Sequence, residues 1–253
     1  MLVTDLTLGY DGPDVVHSVD LAVERGTLTV VVGPNGCGKS TLLRGMARLL
    51  RPRSGRVTLD GADVAGMSGR ELARLVGVLP QAPTTPRGLT VAELVGRGRF
   101  PHREWYQRWS GRDEEAVQRA IAQVDLADRH DHPVDSLSGG QRQRAWLAMV
   151  LAQETDHLML DEPTTYLDLA HAVEVMALAR SIAHDGGRTV VCVLHDLTLA
   201  ARYADRLVVV REGTIAAAGA PAAVLSEQLL DDVFGLRAKV LDVDGAPAVV
   251  PVV

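Results

Sequence analysis

The sequence contains little that a secreted or membrane-spanning protein would need. Only two of its 253 residues are cysteine, and neither lies in a CxxC or Cys/His spacing, so it has no disulfide framework and no zinc-binding pattern. No apolar run approaches the ~20 residues that cross a bilayer, and no basic segment followed by an apolar stretch opens the chain. We therefore expect a cytosolic protein, which would serve any membrane process from the surface of another subunit.

The chain also has no excess of positive charge. It carries 26 Lys and Arg residues against 32 Asp and Glu residues, for a net charge of -6. A general nucleic-acid-binding protein usually shows the opposite balance, so we expect no nucleic-acid partner. The length is sufficient for one large domain, or for a core with a subdomain.

Hydrophobic periodicity predicts an alternation of strands and helices. The region from about 89 to 151 differs, because helical periodicity replaces the strand pattern there. Alternation of this kind implies an α/β fold with a parallel sheet wrapped by helices, and the helical region is expected to be an inserted subdomain. The predicted strands cover 2–8, 19–23, 28–32, 56–59, 158–160, 189–194 and 207–210, with short strands in the tail; the predicted helices outside the insertion cover 40–50, 170–184 and 197–203.

A glycine-rich loop follows the apolar strand 28–32 and precedes a predicted helix. It matches the G-x-x-x-x-G-K-[ST] pattern, in which backbone N–H groups converge on phosphate oxygens at a helix N-terminus. Lys39 is then expected to neutralise phosphate charge and Ser40 to ligate Mg²⁺; the alternative is a glycine-rich turn with an incidental lysine. The helix dipole and Lys39 are also expected to favour the thiolate of Cys37; the alternative is that Cys37 is only a small residue that fills a permissive position. The predicted ATP-binding residues are Gly33, Pro34, Asn35, Gly36, Cys37, Gly38, Lys39, Ser40 and Thr41.

Two adjacent carboxylates end the apolar strand 158–160. A buried strand should not finish in Asp161 and Glu162 unless something holds their charge. Asp161 is predicted to stabilise the Mg²⁺ shell and Glu162 to act as the general base for the attacking water. The alternative is an acidic N-cap for the next helix, with Pro163 in its first turn.

The segment Leu137-Ser138-Gly139-Gly140-Gln141 is a second helix start with exposed N–H groups, or else a plain capping turn. Together with the two motifs above, this LSGGQ pentapeptide resembles the signature of ATP-binding-cassette (ABC) ATPases, and the resemblance extends from about Leu2 to Gly235. The resemblance implies a single ABC ATP-binding domain over 1–253. That domain would have a P-loop NTPase core (about 1–88 and 152–235), an N-terminal antiparallel β subdomain, an inserted helical subdomain (about 89–151) and a tail (about 236–253).

The same resemblance implies roles for four further residues. Tyr10 is similar to the aromatic residue that stacks on adenine, and Gln81 to the glutamine that links Mg²⁺ and water to the helical subdomain. His195 is similar to the histidine that senses the γ-phosphate, and Asp168 to an aspartate that acts across a dimer. The alternatives are a strand-end tyrosine, a polar loop residue and a structural histidine.

In that family, ATP held by the glycine loop of one subunit is closed over by the signature segment of another. The resemblance therefore implies an ATP-dependent, head-to-tail homodimer in which Ser138, Gly139, Gly140 and Gln141 complete the partner's site. Hydrolysis removes the contacts that favour closure, so the dimer reopens.

A lone cassette of this kind resembles the ATPase subunits of importers, which work with separate permease chains and a solute-binding protein at the cytoplasmic face of the membrane. The stretches 162–171 and 96–102 resemble the subgroup that imports iron-siderophores, haem or cobalamin. The alternatives are a soluble ABC ATPase that acts on DNA or ribosomes, and the ATPase of an exporter.

The stretch 97–112 contains five arginines with Trp105, Tyr106 and Trp109 between them. Such a mixture is also found where proteins bind single-stranded nucleic acid, and it could equally be a solvated loop. In the family this region receives the permease, and we prefer that interpretation because the chain as a whole is acidic.

Overall fold

A computed structural model describes residues 1–81, 83–84, 88–104, 108–165 and 167–252; the predictions that rest on Trp105, Tyr106 and Tyr166 lie outside these residues. The strands are β1 Leu2–Gly9, β2 Asp14–Ala22, β3 Leu28–Val32, β4 Ser54–Leu59, β5 Ala62–Asp63, β6 Val76–Leu79, β7 His157–Asp161, β8 Thr189–Val193, β9 Arg206–Arg211, β10 Thr214–Gly219, β11 Ala238–Val243 and β12 Ala246–Pro251. The helices are α1 Lys39–Met46, α2 Gly69–Leu75, α3 Val91–Gly96, α4 Gly111–Gln123, α5 Gly139–Ala152, α6 Leu169–His184, α7 Leu197–Tyr203, α8 Pro221–Val224 and α9 Glu227–Phe234.

The chain divides into two compact units, and the first comprises residues 1–67 and 179–253. Its parallel strands are β8, β3 and β9, with β3 in the middle and β10 added antiparallel to β9. All five residues of β3 are buried, as a central parallel strand covered on both faces requires. An antiparallel sheet in the order β2-β1-β4-β5 forms the rest of the β-structure of this unit, together with a C-terminal β11–β12 hairpin.

The second unit comprises residues 68–178. It contains the parallel pair β6 and β7, and the helices α2 to α5 with the larger part of α6. Helix α5 packs against both α3 and α4, and six of its fourteen residues are buried. These elements confirm the predicted α/β class with parallel strands, antiparallel N-terminal strands and a run of helices after residue 89.

One predicted helix boundary is wrong, and several short elements were not predicted. The helix predicted to reach residue 50 ends at Met46, because Arg48 adopts a left-handed backbone (φ 53°) that breaks the helical hydrogen bonds. Its guanidinium then donates to the carbonyls of Val64 and Met67, which anchors the chain reversal. Helices α2, α8 and α9 and strands β5, β6 and β10 were not predicted, because segments this short give little periodic signal.

Candidate functional site

In the first unit, the glycine loop leaves β3 and enters α1. Lys39, the first residue of α1, is 6% exposed. Its ammonium group donates hydrogen bonds to the carbonyl oxygens of Gly33 (2.8 Å) and Pro34 (2.9 Å). An ammonium group has three donors, and these bonds hold the charge at the centre of the loop. Of the other loop residues, Asn35 and Gly36 are exposed, Pro34 and Ser40 are half-buried, and Cys37, Gly38 and Thr41 are buried.

Two glycines of this loop are required by the close approach of the surrounding backbone. A Cβ atom at Gly33 would lie 2.2 Å from the carbonyl oxygen of Val210. Gly38, the N-cap of α1, has a φ of 105°, and a Cβ there would lie 3.0 Å from the carbonyl oxygen of Val15. The two glycines therefore permit the curled backbone that joins β3 to α1.

The same edge of this sheet carries His195. Strands β3 and β8 are parallel with Val31 opposite Val193, and the N–H of Leu194 donates to the carbonyl of Val31 (3.1 Å). Gly33 and His195 each lie two residues beyond that pair, so the glycine loop and the exposed His195 leave neighbouring strands at their carboxyl ends. Ligands of open α/β sheets bind at such edges.

Tyr10 lies at the end of β1, and 48% of its surface is exposed. Its hydroxyl accepts a hydrogen bond from the guanidinium of Arg44, which extends from α1. The ring is thus available for stacking and is held by one bond from the helix that begins at the glycine loop.

The expectation of a thiolate at Cys37 is wrong. Cys37 is 7% exposed, and this burial raises the pKa of its thiol more than the nearby Lys39 ammonium and two backbone N–H groups lower it. Cys37 is therefore a small buried residue of the loop, protonated at neutral pH.

In the second unit, the register of β6 and β7 brings Gln81 and Glu162 together. Leu79 lies opposite Leu160, and the two polar residues each follow two positions later. The side-chain amide of Gln81 donates to Oε2 of Glu162 at 2.6 Å. Because the amide nitrogen is used in this bond, the amide oxygen is the atom of Gln81 that remains to ligate a metal.

Glu162 is 6% exposed and has a left-handed backbone (φ 52°), a strained conformation that clusters at functional sites. Its Oε2 also accepts a hydrogen bond from the hydroxyl of Thr165 (3.0 Å). The neighbouring Asp161 is the last residue of β7 and is 2% exposed. Two carboxylates are therefore buried side by side at a strand end, with one of them oriented by two donors.

The signature segment is the start of α5, also in the second unit. Ser138 is its N-cap, and the segment closes a reciprocal capping box: the Ser138 hydroxyl accepts from the N–H of Gln141 (3.2 Å), and the Gln141 side chain accepts from the N–H of Ser138 (3.1 Å). Ser138 and Gly139 are exposed, and Gly140 is half-buried.

Asp168 immediately precedes α6. Its Oδ1 accepts from the backbone N–H of His171 (2.9 Å) and lies 2.7 Å from Nδ1 of the same residue. The backbone N–H and then the imidazole of His171 hold the pKa of the Asp168 carboxyl below its usual range.

Among the residues that the structure describes, no group of three or more His, Cys, Asp or Glu side chains is placed to hold a metal ion. The same residues include no helix that is long and apolar enough to span a bilayer.

The family model for the ABC transporter matches residues 16–165, which is more than half of the chain. The chain belongs to the ABC transporter family. Over 248 residues this cassette is 48% identical to the probable siderophore transport system ATP-binding protein YusV of Bacillus subtilis (strain 168), covering 97% of the cassette and 90% of that protein. It is 47% identical to the ferric enterobactin transport ATP-binding protein FepC of Escherichia coli (strain K12), covering 97% and 92%.

Among solved structures, the cassette is similar to the ATP-binding cassette MJ0796, a dimer in a post-hydrolysis state bound to ADP and phosphate. The TM-score is 0.76 with 26% identity, over 87% of this chain and 98% of that one. The predicted ABC ATPase fold is thereby confirmed, and membership of the family makes the cassette a nucleotide-binding ATPase.

Two residues of the site were not identified from the sequence. Thr165 lies three positions after Glu162, a spacing at which a hydroxyl in a turn reaches back to the carboxylate. His171 lies three positions after Asp168, the spacing by which a residue in the first turn of a helix contacts its N-cap. Both spacings are visible in the sequence. The same spacings occur in ordinary turns and helix starts, so the sequence alone does not mark these residues as part of a site.

Proposed function

We propose that this cassette is the ATP-hydrolysing subunit of an importer, and that it powers uptake of an iron-siderophore, haem or cobalamin-type substrate through a separate permease. The observation that carries this proposal is the near-full-length similarity, at 47–48% identity, to ATP-binding proteins of siderophore and ferric enterobactin transport. The names of these relatives support the iron-siderophore part of this substrate class, and the geometry of the site supports the chemistry.

The glycine loop binds the phosphates of ATP, with Lys39 and the first-turn N–H groups of α1 neutralising their charge. Lys39 now donates to two carbonyls of the loop itself, so its ammonium is already held inside the loop before a phosphate arrives. Tyr10 stacks on the adenine. Neither Gly33 nor Gly38 has room for a side chain. Glycine at these positions fits this use, because it allows phosphate oxygens to approach the backbone.

Glu162 takes a proton from the attacking water. Its carboxylate is oriented by the hydrogen bonds that Gln81 and Thr165 donate to its Oε2. His195 donates to the γ-phosphate. The carboxylate and amide oxygens of Asp161 and Gln81, with the hydroxyl of Ser40, fit the oxygen ligands of Mg²⁺, which would neutralise phosphate charge when bound.

The cassette works as an ATP-dependent homodimer. Ser138 to Gln141 and Asp168 of one protomer complete the site on the other, as in a symmetric head-to-tail assembly. The exposed position of Ser138 and Gly139 at the start of α5 supports this use, since a partner's nucleotide can reach them. The dimeric state of the similar cassette MJ0796 supports it as well.

The permease docks at a basic cleft of the second unit. This cleft has a volume of about 460 Å³ and is lined by His102, Arg103, Arg108, Ser110 and Arg112, with the ion pair of Arg99 and Asp113 at its floor. Within the described residues neither Arg108 nor Arg112 forms an ion pair, although the chain as a whole is acidic. The cleft therefore offers unneutralised positive charge to an acidic segment of a partner.

The floor of the cleft is rigid. Arg99 is 2% exposed and binds Asp113 (3.0 Å), Glu154 (2.7 Å) and the carbonyl of Ala152 (2.7 Å). These bonds tie the turn after α3 to the start of α4 and to the end of α5. A displacement of the cleft by the docked permease would thereby move α5, the helix that begins with the signature segment.

Reconstitution tests the proposal. The cassette is combined in liposomes with its permease and solute-binding protein, and ATPase activity is measured with a panel of iron-siderophores, haem and cobalamin. Import predicts stimulation by one loaded binding protein together with uptake of its cargo. Activation by DNA or ribosomes instead, or transport directed outward, would contradict it.

The docking surface has its own test within that system. The double variant Arg108→Glu, Arg112→Glu should retain basal ATPase activity and lose the stimulation by the permease. The matched control is Arg51→Glu, Arg237→Glu, which reverses two exposed arginines of the first unit. Equal stimulation of both double variants would exclude the cleft as the docking surface.

A further inference from the structure

His171 contacts two parts of the second unit that are both assigned to the dimer interface. Its Nδ1 lies 2.7 Å from Oδ1 of Asp168, and its backbone N–H donates to the same oxygen. The Asp168 carboxylate is therefore held by two groups of His171, its imidazole and its backbone N–H.

The other edge of the same ring lies against Gly140. A Cβ atom at Gly140 would be 3.3 Å from Cδ2 of His171 and 3.4 Å from its Cγ, a contact tight enough that the ring would have to move by a few tenths of an ångström to admit it. Nδ1 and Cδ2 are on opposite sides of Cγ, so one edge of the imidazole faces Asp168 and the other faces the signature glycine. The ring fills the space between these two residues.

We propose that His171 is a positioning residue that couples Asp168 to the signature segment at Gly140, so that a partner's contact at either place orients the other. The proposal rests on the proposed dimeric function, because both contacts matter only when a second protomer arrives. His171 itself touches neither the nucleotide nor the reacting atoms in this account.

The coupling follows from how the ring is held. An imidazole that has lost its bond to Asp168 is free to rotate about its Cβ–Cγ bond, and rotation would move Cδ2 away from or into Gly140. Conversely, a displacement of Gly140 on phosphate binding would turn the ring and change the bond to Asp168. Packed groups with two arrangements are the elements through which distant contacts communicate.

Three variants separate the two contacts. His171→Asn retains a side-chain donor for Asp168 and loses the ring, His171→Phe retains the ring and loses the donor, and His171→Ala loses both. The matched control is His184→Phe, which removes an imidazole of equal side-chain exposure (40%) from a surface pair with Asp205 in the first unit.

Each variant is measured for ATP affinity of the monomer, for kcat and KM, and for ATP-driven dimerisation in the Glu162→Gln background. We expect unchanged monomer affinity and stability near that of the control, with kcat and dimerisation reduced about five- to 150-fold, the usual range of coupling between sites. His171→Ala should be the most affected, and His171→Asn and His171→Phe should each recover part of the loss.

Wild-type kcat and dimerisation in both His171→Phe and His171→Ala would overturn the positioning role. A loss confined to thermal stability, equal to that of His184→Phe, would overturn it too. Wild-type protein that neither hydrolyses ATP nor dimerises with it would instead overturn the proposed function, and the positioning role with it.

Discussion

The two helix N-termini that are proposed to contact phosphate, those of α1 and α5, differ in how they are capped. At α1 the N-cap is Gly38, which has no side chain to offer, and the buried Lys39 supplies positive charge from within the loop. At α5 the N-cap is the exposed Ser138, whose hydroxyl and backbone are bonded to Gln141 in a complete capping box. The start of α1 has no side-chain cap, whereas the start of α5 is capped by its own side chains.

This difference fits the proposed roles, in which α1 binds ATP and α5 closes over the nucleotide of a partner. At α1 the ammonium of Lys39 is held by carbonyls of the loop, at the place where the proposal puts the phosphates. A phosphate at α5 must compete with the capping box, so its net gain is small until a second protomer presents the nucleotide in place. The signature segment is thereby suited to complete a site formed by another protomer and poorly suited to hold ATP alone.

The largest effect on kcat is expected at Glu162, the proposed general base. Glu162→Gln removes the carboxylate that accepts a proton, so kcat should fall by about 10²- to 10⁴-fold. ATP should still bind and the variant should accumulate as an ATP-bound dimer, detectable by light scattering. Glu174→Gln, an exposed carboxylate in the same unit, is the control; near-normal turnover of Glu162→Gln would refute the assignment.

The charge in the glycine loop comes next. Lys39→Met retains the aliphatic stem and removes the ammonium, so the ATP affinity of the monomer should fall by about 10- to 100-fold, as for loss of a charge-assisted hydrogen bond. Titration calorimetry measures this. Arg142→Met, a cation lost from α5, should leave the affinity of the monomer unchanged, and an equal loss in both variants would remove the distinction between the two helix starts.

A smaller effect is expected from loss of the N-cap of α5, Ser138. Ser138→Ala and Ser68→Ala each break a capping box, at the starts of α5 and α2, and each should lower the free energy of unfolding by about 1 kcal/mol. Only Ser138→Ala should also lower kcat, because in the proposed dimer α5 contacts the partner's nucleotide and α2 does not. If kcat falls equally in both variants, the loss is one of stability.

The smallest effect concerns Cys37. Because burial raises the pKa of its thiol above the ordinary value of about 8.5, the reactive thiolate is scarce at pH 7. Alkylation of native protein should be slow at pH 7 and should accelerate as the pH rises past that value, as mass spectrometry of Cys37 and the fully buried Cys192 can follow. Rapid alkylation of Cys37 at pH 7 would contradict the burial.

The sequence predicted the fold class and most strands, because long buried runs such as β3 have a strong hydrophobic signal. It did not predict six short elements, α2, α8, α9, β5, β6 and β10, although β6 is the strand that places Gln81 beside Glu162. The thiolate prediction for Cys37 considered the helix dipole and Lys39 but omitted burial, which only the packing of the loop reveals. The contact of His171 with Gly140 joins residues 31 positions apart, and no local pattern indicates such a pairing.

In the proposed dimer, each active site combines the glycine loop of one protomer with the signature segment of the other. Mixing two inactive variants, Lys39→Met and Ser138→Arg, is a direct test of this arrangement. Head-to-tail dimers of the two variants contain one intact composite site, so ATPase activity should return to about a quarter of wild type if the two sites act independently. Absence of any recovery in the mixture, with heterodimers present by mass, would contradict the claim.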